Sequence, residues 1–343
     1  MTEFGVLSEG RAHRAELRTR ELRSRRRRRL RYGLIAVVLA LATPLAAMVP
    51  SASEPGSRPA VHPGASHAIA AQAVRTQPTR SGYGIALART RISVRRKLRT
   101  RSGLLFDVRS GRVLWTLRPG LVLPIASLTK MMTGLVVVQH ARRDASVLIT
   151  RAALQYAGSG VGLLPLGKRV SVETLLYGLL LPSGNDAAIA LARHVAGTEA
   201  RFVAIMNARA RSMGLRCTRF TSASGIVDQG NHSCVEDLAI LAHAVLRQPL
   251  LAQIVSSPSA TLPFPIKGGK LYLYNNNPLL RLGYLGADGV KTGYTGAAGL
   301  CLVATARRGR KWLGVALLHS SNPSAQAQEL LDAGFAASLG KGD

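Results

Sequence analysis

Ser127 and Lys130 stand three residues apart at the mouth of an apolar helical stretch, and this pairing constrains the fold more than any other feature of the chain. From Ser127 to about Ala141, Leu128, Met131, Met132, Leu135, Val136, Val137 and Val138 place apolar side chains on nearly every side. The pattern predicts a helix through the middle of a domain rather than on its surface. Residues three apart share a helix face, so the lysine amine comes within reach of the serine hydroxyl, and the unpaired amides of the first turn favour developing negative charge. Serine is a weak nucleophile until a base takes its proton. Lysine can be that base only when burial or a second cation lowers its pKa. Taken alone, the pair is better explained by a helix-capping serine and a solvated lysine.

Two later stretches change that balance. In Leu181-Pro182-Ser183-Gly184-Asn185-Asp186 the proline stops a helix and Gly184 is expected to free the backbone, so that Ser183 and Asn185 project from a tight turn. In Gly289-Val290-Lys291-Thr292-Gly293-Tyr294-Thr295 a lysine opens an apolar strand, with glycine where another backbone or a ligand must come close. The three stretches supply a nucleophile, a base, a second hydroxyl, an amide for a substrate backbone, and a cation with a hydroxyl for a terminal carboxylate.

The architecture follows from the order of elements. Apolar runs at 103–108 and 112–117, joined at Arg109-Ser110-Gly111, predict one hairpin, and runs at 299–306 and 311–318 around Arg307–Arg310 predict another. Helices are expected at 172–181, 186–196, 198–213 and 323–337, with Pro182, Gly197 and Gly214 as stops and Thr198 as a cap. Strands at both ends with helices between them make an α+β fold, an antiparallel sheet flanked by helices with an inserted helical subdomain.

Upstream, residues 1–32 form an arginine-rich tail that culminates in Arg25–Arg29. Gly33–Val49 is a nearly unbroken apolar run with arginines on its N-terminal side only, which places the tail in the cytoplasm and the remainder outside. We take 33–49 as a signal anchor, a single-pass membrane segment. Cleavage near Ser51-Ala52-Ser53 with secretion is the alternative. Residues 50–83 read as a disordered Pro/Ala/Ser linker, and 84–340 as the catalytic domain. The formal charge of +29 comes mostly from arginine, with no aromatic interleaving and no nucleic-acid module, so an anionic cell surface or lipid suits it and nucleic acid does not. The three cysteines have no metal-ligand spacing, so no metal or other cofactor is implied. In an exported domain, Cys217 and Cys234 are expected to form a disulfide across a segment with little apolar content, leaving Cys301 as a small buried hydrophobe.

S-x-x-K, S-x-N and K-T-G in this order, with 175–188 and 289–295 around the last two, resemble the D-alanyl-D-alanine carboxypeptidases among the low-molecular-mass penicillin-binding proteins, serine peptidase family S11. The resemblance covers about 100–337 and implies the serine β-lactamase and penicillin-binding-protein transpeptidase-like fold. It implies Ser127 as acyl-ester nucleophile, Lys130 as proton acceptor, Ser183 as proton relay and Asn185 as the amide that holds the peptide. Lys291 and Thr292 would bind the terminal carboxylate along the Lys291-Thr292-Gly293-Tyr294 strand, and the amides of Ser127 and Tyr294 would form an oxyanion hole. The implied partners are peptidoglycan stem peptides and β-lactam antibiotics. The implied activity is removal of the terminal D-alanine, with a DD-endopeptidase, a β-lactamase or a non-catalytic wall-binding protein as alternatives on the same fold. Glu199 and Glu236 lack the E-x-x-L-N setting of a β-lactamase. The segments 157–163 and 224–230 follow the family pattern only loosely. The chain ends soon after its last helix, so anchoring is expected to fall to 33–49 rather than to a C-terminal segment.

Overall fold

The computed structural model describes residues 84–87, 92, 98–162 and 164–337. The arginine-rich tail, the apolar run at 33–49 and the linker 50–83 lie outside the described residues.

Six strands form the main sheet: β1 (Ala86–Leu87), β2 (Thr100–Asp107), β3 (Arg112–Leu117), β4 (Ala287–Thr295), β5 (Gly299–Arg308) and β6 (Lys311–Ser320), in the order β1-β3-β2-β6-β5-β4. All neighbours are antiparallel except β1, which lies parallel to β3. One row across the sheet runs Lys291, Val303, Ala316, Leu104, so the strand carrying Lys291 is fixed by segments nearly two hundred residues earlier in the chain. Because 100–117 and 287–320 meet in the sheet, everything between them is an insertion.

That insertion carries α1 (Lys130–His140), α2 (Val172–Leu180), α3 (Asn185–Ala196), α4 (Glu199–Ser212), α5 (Val235–Leu246) and α6 (Pro249–Ser256), and α7 (Pro323–Ala337) follows β6. Leu104, Phe106, Val303, Ala316 and Leu318 face the helical body. Leu105, Leu302, Ala304, Val315 and Leu317 face Ala327, Leu330, Leu331 and Phe335 of α7. A sheet covered on both faces has no polar side, which explains why its strands read as continuous apolar runs. Each large side chain buried under α7 stabilises by about 2 kcal/mol.

Helix α1 packs against α2, α3, α4 and α5, and is buried from Lys130 through Val137. The expected start at Ser127 is corrected in one respect: residues Ala126–Thr129 form a 3-10 turn, and the α-helix begins at Lys130. The tighter turn is closed by Leu128 N donating to Ile125 O at 3.1 Å, with Ala126 in the left-handed region at φ 49°. Thr198 caps α4 through Arg201 N at 3.2 Å, as the sequence indicates.

Cys217 and Cys234 are bonded, with Cα atoms 5.5 Å apart. Between them runs a loop whose buried apolar side chains are Phe220 and Ala223 alone among its described residues. Cys301 is buried and unbonded, and burial pushes its thiol up to about 11. Among the described residues no single helix is long and apolar enough to cross a membrane.

Candidate active site

Lys130 lies at the centre of the site, fully buried, with Nζ in contact with three oxygens on three separate segments. These are Ser127 Oγ at 2.8 Å on its own turn, Asn185 Oδ1 at 2.6 Å on α3, and the Ser224 carbonyl at 2.7 Å on the disulfide-closed loop. Burial holds the lysine well below its usual pKa; the Lys291 cation adds to this, and the Asp186 carboxylate opposes it. A neutral amine has two N–H groups and one lone pair. In that form the two carbonyl oxygens, which can only accept, would take both N–H groups and leave the lone pair for Ser127, which alone of the three partners has a proton to give. The arrangement suits a lysine that deprotonates a serine.

Ser183 and Asn185 do come from one tight turn, but the expected role of Gly184 is corrected. Ser183 takes the left-handed conformation, at φ 70°, while Gly184 has an ordinary φ of −61°. Gly184 is needed for space, since a Cβ there would stand 2.7 Å from both Asp186 Oδ1 and Val161 Cγ2. A serine held in this region costs of order 1–3 kcal/mol and persists where the surroundings over-determine it. The turn is fixed by Asn276 Nδ2, which donates to Pro182 O at 3.1 Å. Ser183 Oγ is buried without a hydrogen-bond partner among the described residues.

On β4, Lys291 is buried and donates to Thr292 O at 2.9 Å; burial lowers its pKa to about 7. Gly293 backs directly onto the serine turn: a Cβ there would lie 2.8 Å from Ile125 O and 3.3 Å from Ser127 N. This is the close backbone approach that the glycine signals in sequence, and it sets the strand beside the Ser127 amide. Tyr294 is largely exposed at the rim, and Thr295 Oγ1 donates to Asp228 at 2.7 Å. A cavity of about 480 Å³ opens beside Asn185 and Ser224, lined also by Tyr156, Glu199, Ile226 and Val227. A larger hollow, about 720 Å³, lies at the far end of α1 beside His140 and Gln253 and contains none of these groups.

The same architecture recurs in solved structures. A D-alanyl-D-alanine carboxypeptidase from Mycobacterium tuberculosis superposes with a TM-score of 0.68 at 32% identity, over 73% of this chain and 96% of that one. The Streptomyces K15 DD-transpeptidase gives 0.66 at 32% identity, over 71% and 100%. Residues 88–322 match the sequence model of peptidase S11, D-alanyl-D-alanine carboxypeptidase. The chain belongs to peptidase family S11. Among S11 relatives, a D-alanyl-D-alanine carboxypeptidase of Bacillus subtilis is 32% identical over 243 residues, 68% of this chain and 62% of the relative. One from M. tuberculosis is 37% identical over 238 residues, 67% and 80%. The chain thus spans under two thirds of the length of the B. subtilis relative.

Three features of this S11 site carry no signal in the motifs. The Ser224 carbonyl on Lys130 is a backbone group, so its identity as serine says nothing about it. Thr129 Oγ1 is joined to Asn231 by Nδ2 at 3.0 Å, and Thr133 Oγ1 donates to Ala223 O at 2.6 Å, so the loop is tied to the helix at three levels. Asp186 looks in sequence like an ordinary acid in a helix first turn, yet its carboxylate is buried and accepts from Val161 N, Gly162 N and Ala187 N.

Proposed function

We propose that this S11 member is a serine-type D-Ala-D-Ala carboxypeptidase that removes the terminal D-alanine from peptidoglycan stem peptides and is acylated by β-lactams. The single observation that carries the reading is the 2.8 Å contact between Ser127 Oγ and a lysine amine whose other two partners are both carbonyl oxygens. In the first step Lys130 takes the Ser127 proton while Oγ adds to the carbonyl carbon of the penultimate residue, and the Ser127 and Tyr294 amides face the resulting oxyanion. As the C–N bond breaks, the proton returns through Ser183 to the departing amine, leaving an ester on Ser127. Water then attacks that ester, with Lys130 again as base, and releases the shortened peptide. Asn185 holds the peptide backbone. Lys291 and Thr292 receive the terminal carboxylate, which pairs with a cation through charge-assisted hydrogen bonds.

The name of these relatives, the order of the three motifs and the lowered pKa of Lys130 support this assignment. The apolar run at 33–49, preceded by arginines, supports anchorage in the cell membrane with the domain on the extracytoplasmic side.

The test is covalent labelling of the full-length protein with a fluorescent penicillin, alongside release of D-alanine from a peptide ending in D-Ala-D-Ala. Both activities are expected in the wild type and neither in Ser127→Ala. Labelling of Ser127→Ala at the wild-type level would overturn the nucleophile assignment. Cleavage of cross-linked peptide dimers without release of terminal D-alanine would favour the endopeptidase reading.

A further inference from the structure

We propose that Asp186, which none of the three motifs includes, is a positioning residue that acts on the reaction by orienting Asn185. The inference rests on the assignment of Asn185 and Lys130 above.

The argument starts from the segment 157–162, which contains glycine at 158, 160 and 162, with Gly158 and Gly162 at positive φ. Such a sequence has little intrinsic preference for one conformation and few side chains with which to pack. It is nonetheless bound at both ends to the start of α3. Asn185 N donates to Ser159 O at 2.8 Å, and Asn185 Nδ2 donates to Ala157 O. Asp186 Oδ1 accepts from Val161 N at 2.8 Å, and Oδ2 accepts from Gly162 N at 3.3 Å. The next side chain after Asn185 therefore pins the far end of the loop whose near end holds the Asn185 amide.

This matters because an asparagine amide has two faces. With Nδ2 committed to Ala157 O, Oδ1 is the atom presented to Lys130 Nζ, at 2.6 Å. Were the loop released, the amide could rotate and offer its N–H groups to the lysine, which would remove an acceptor and place donor against donor. A carboxylate is suited to the task because it accepts several N–H bonds at once and donates none. The carboxylate sits in confined space: a Cβ at position 184 would stand 2.7 Å from both Asp186 Oδ1 and Val161 Cγ2.

The experiment is a double-mutant cycle read by the rate of penicillin acylation, with folding followed by circular dichroism and thermal melting. Asp186→Asn is expected to slow acylation about tenfold or more, the scale of losing a hydrogen bond to a charged group. In an Asn185→Ala background, read on the pH plateau above the Lys130 titration where the direct pull of the carboxylate on that amine does not count, the same change is expected to cost less than about twofold, because the residue it acts through is gone. Full additivity in the double variant overturns the proposal, as does an Asp186→Asn protein within about twofold of the wild type. Should Asp186→Asn fail to fold, Asp186→Glu takes its place in the cycle with the same two criteria. Failure of both to fold assigns the carboxylate to stability alone and likewise overturns positioning. Amide hydrogen exchange supplies a readout that does not need catalysis: the Val161 and Gly162 amides and the Asn185 side-chain amide should all exchange faster in Asp186→Asn. A wild type that penicillin does not label, with this exchange pattern intact, would count against the proposed function and leave the positioning in place.

Discussion

Lys130 and Lys291 are the same residue type, both buried and both lowered in pKa by that burial, yet the molecule holds them in different ways. Lys130 is contacted by oxygens from the serine turn, α3 and the disulfide-closed loop, all three within 2.8 Å. Among the described residues the Lys291 amine has one hydrogen bond, to the carbonyl of its own neighbour, Thr292. A lysine contacted by oxygens on three independent segments is held in one geometry, as a base must be. One held by its own strand keeps N–H groups for an arriving anion. Burial therefore shifts the titration of both, while on the proposed reading their partners suit Lys130 to a serine and Lys291 to a carboxylate.

The sharpest way to break this contrast is to remove the base. Lys130→Ala should lower the rate of penicillin acylation by about 10²–10⁴-fold, the range for a general base, while leaving binding of the terminal carboxylate nearly intact. A loss below about tenfold would remove Lys130 from proton transfer.

Next in size is the loop that brings the Ser224 carbonyl. Replacing Cys217 and Cys234 together by serine should destabilise the fold by about 3 kcal/mol, from the loop closure lost in the unfolded state. It should also slow acylation more than it alters the preference for a carboxylate. Thermal melting and acylation rates on the same protein check both expectations, and an unchanged melting temperature would show that the cross-link contributes nothing.

Lys291→Ala is expected to raise KM for a peptide with a free terminal carboxylate by about 10–100-fold, and for its amide much less, since a hydrogen bond between charged groups is worth about 1.5–3 kcal/mol. Equal losses on the two substrates would assign Lys291 another task. This variant also removes a cation that depresses Lys130, so the acid limb of its acylation profile should move to higher pH.

The smallest effect is the pH dependence of KM. Lys291 is protonated below its pKa of about 7 and neutral above it. KM for the carboxylate substrate should therefore be lowest on the acid side and rise as pH passes through that value. Lys291→Gln should show no such rise.

Much of the fold was legible because its main elements carry their own periodicity. The strand 112–117 and the helix 323–337 match the sequence reading at both ends, and 172–180 and 185–196 differ by one residue each. The missed details share one character, in that each lies where segments distant in the chain come into close contact. The 3-10 turn at Ala126–Thr129 lies against Gly293, and the left-handed Ser183 precedes a Gly184 crowded by Val161 and Asp186.

By itself the sequence determined which chemical groups were present and in what order: a serine and lysine on one helical face, a second serine and an amide at a proline-broken turn, and a lysine on a glycine-bearing strand. Periodicity and turn chemistry are local, so they survive in a one-dimensional reading. Only the tertiary structure decided that the first serine and the amide meet around one lysine amine, that a backbone carbonyl from 94 residues away completes its shell, and that an aspartate orients the asparagine beside it. Those choices depend on burial and on contacts between segments distant in the chain, and burial, more than residue type, is what draws the Lys130 pKa down.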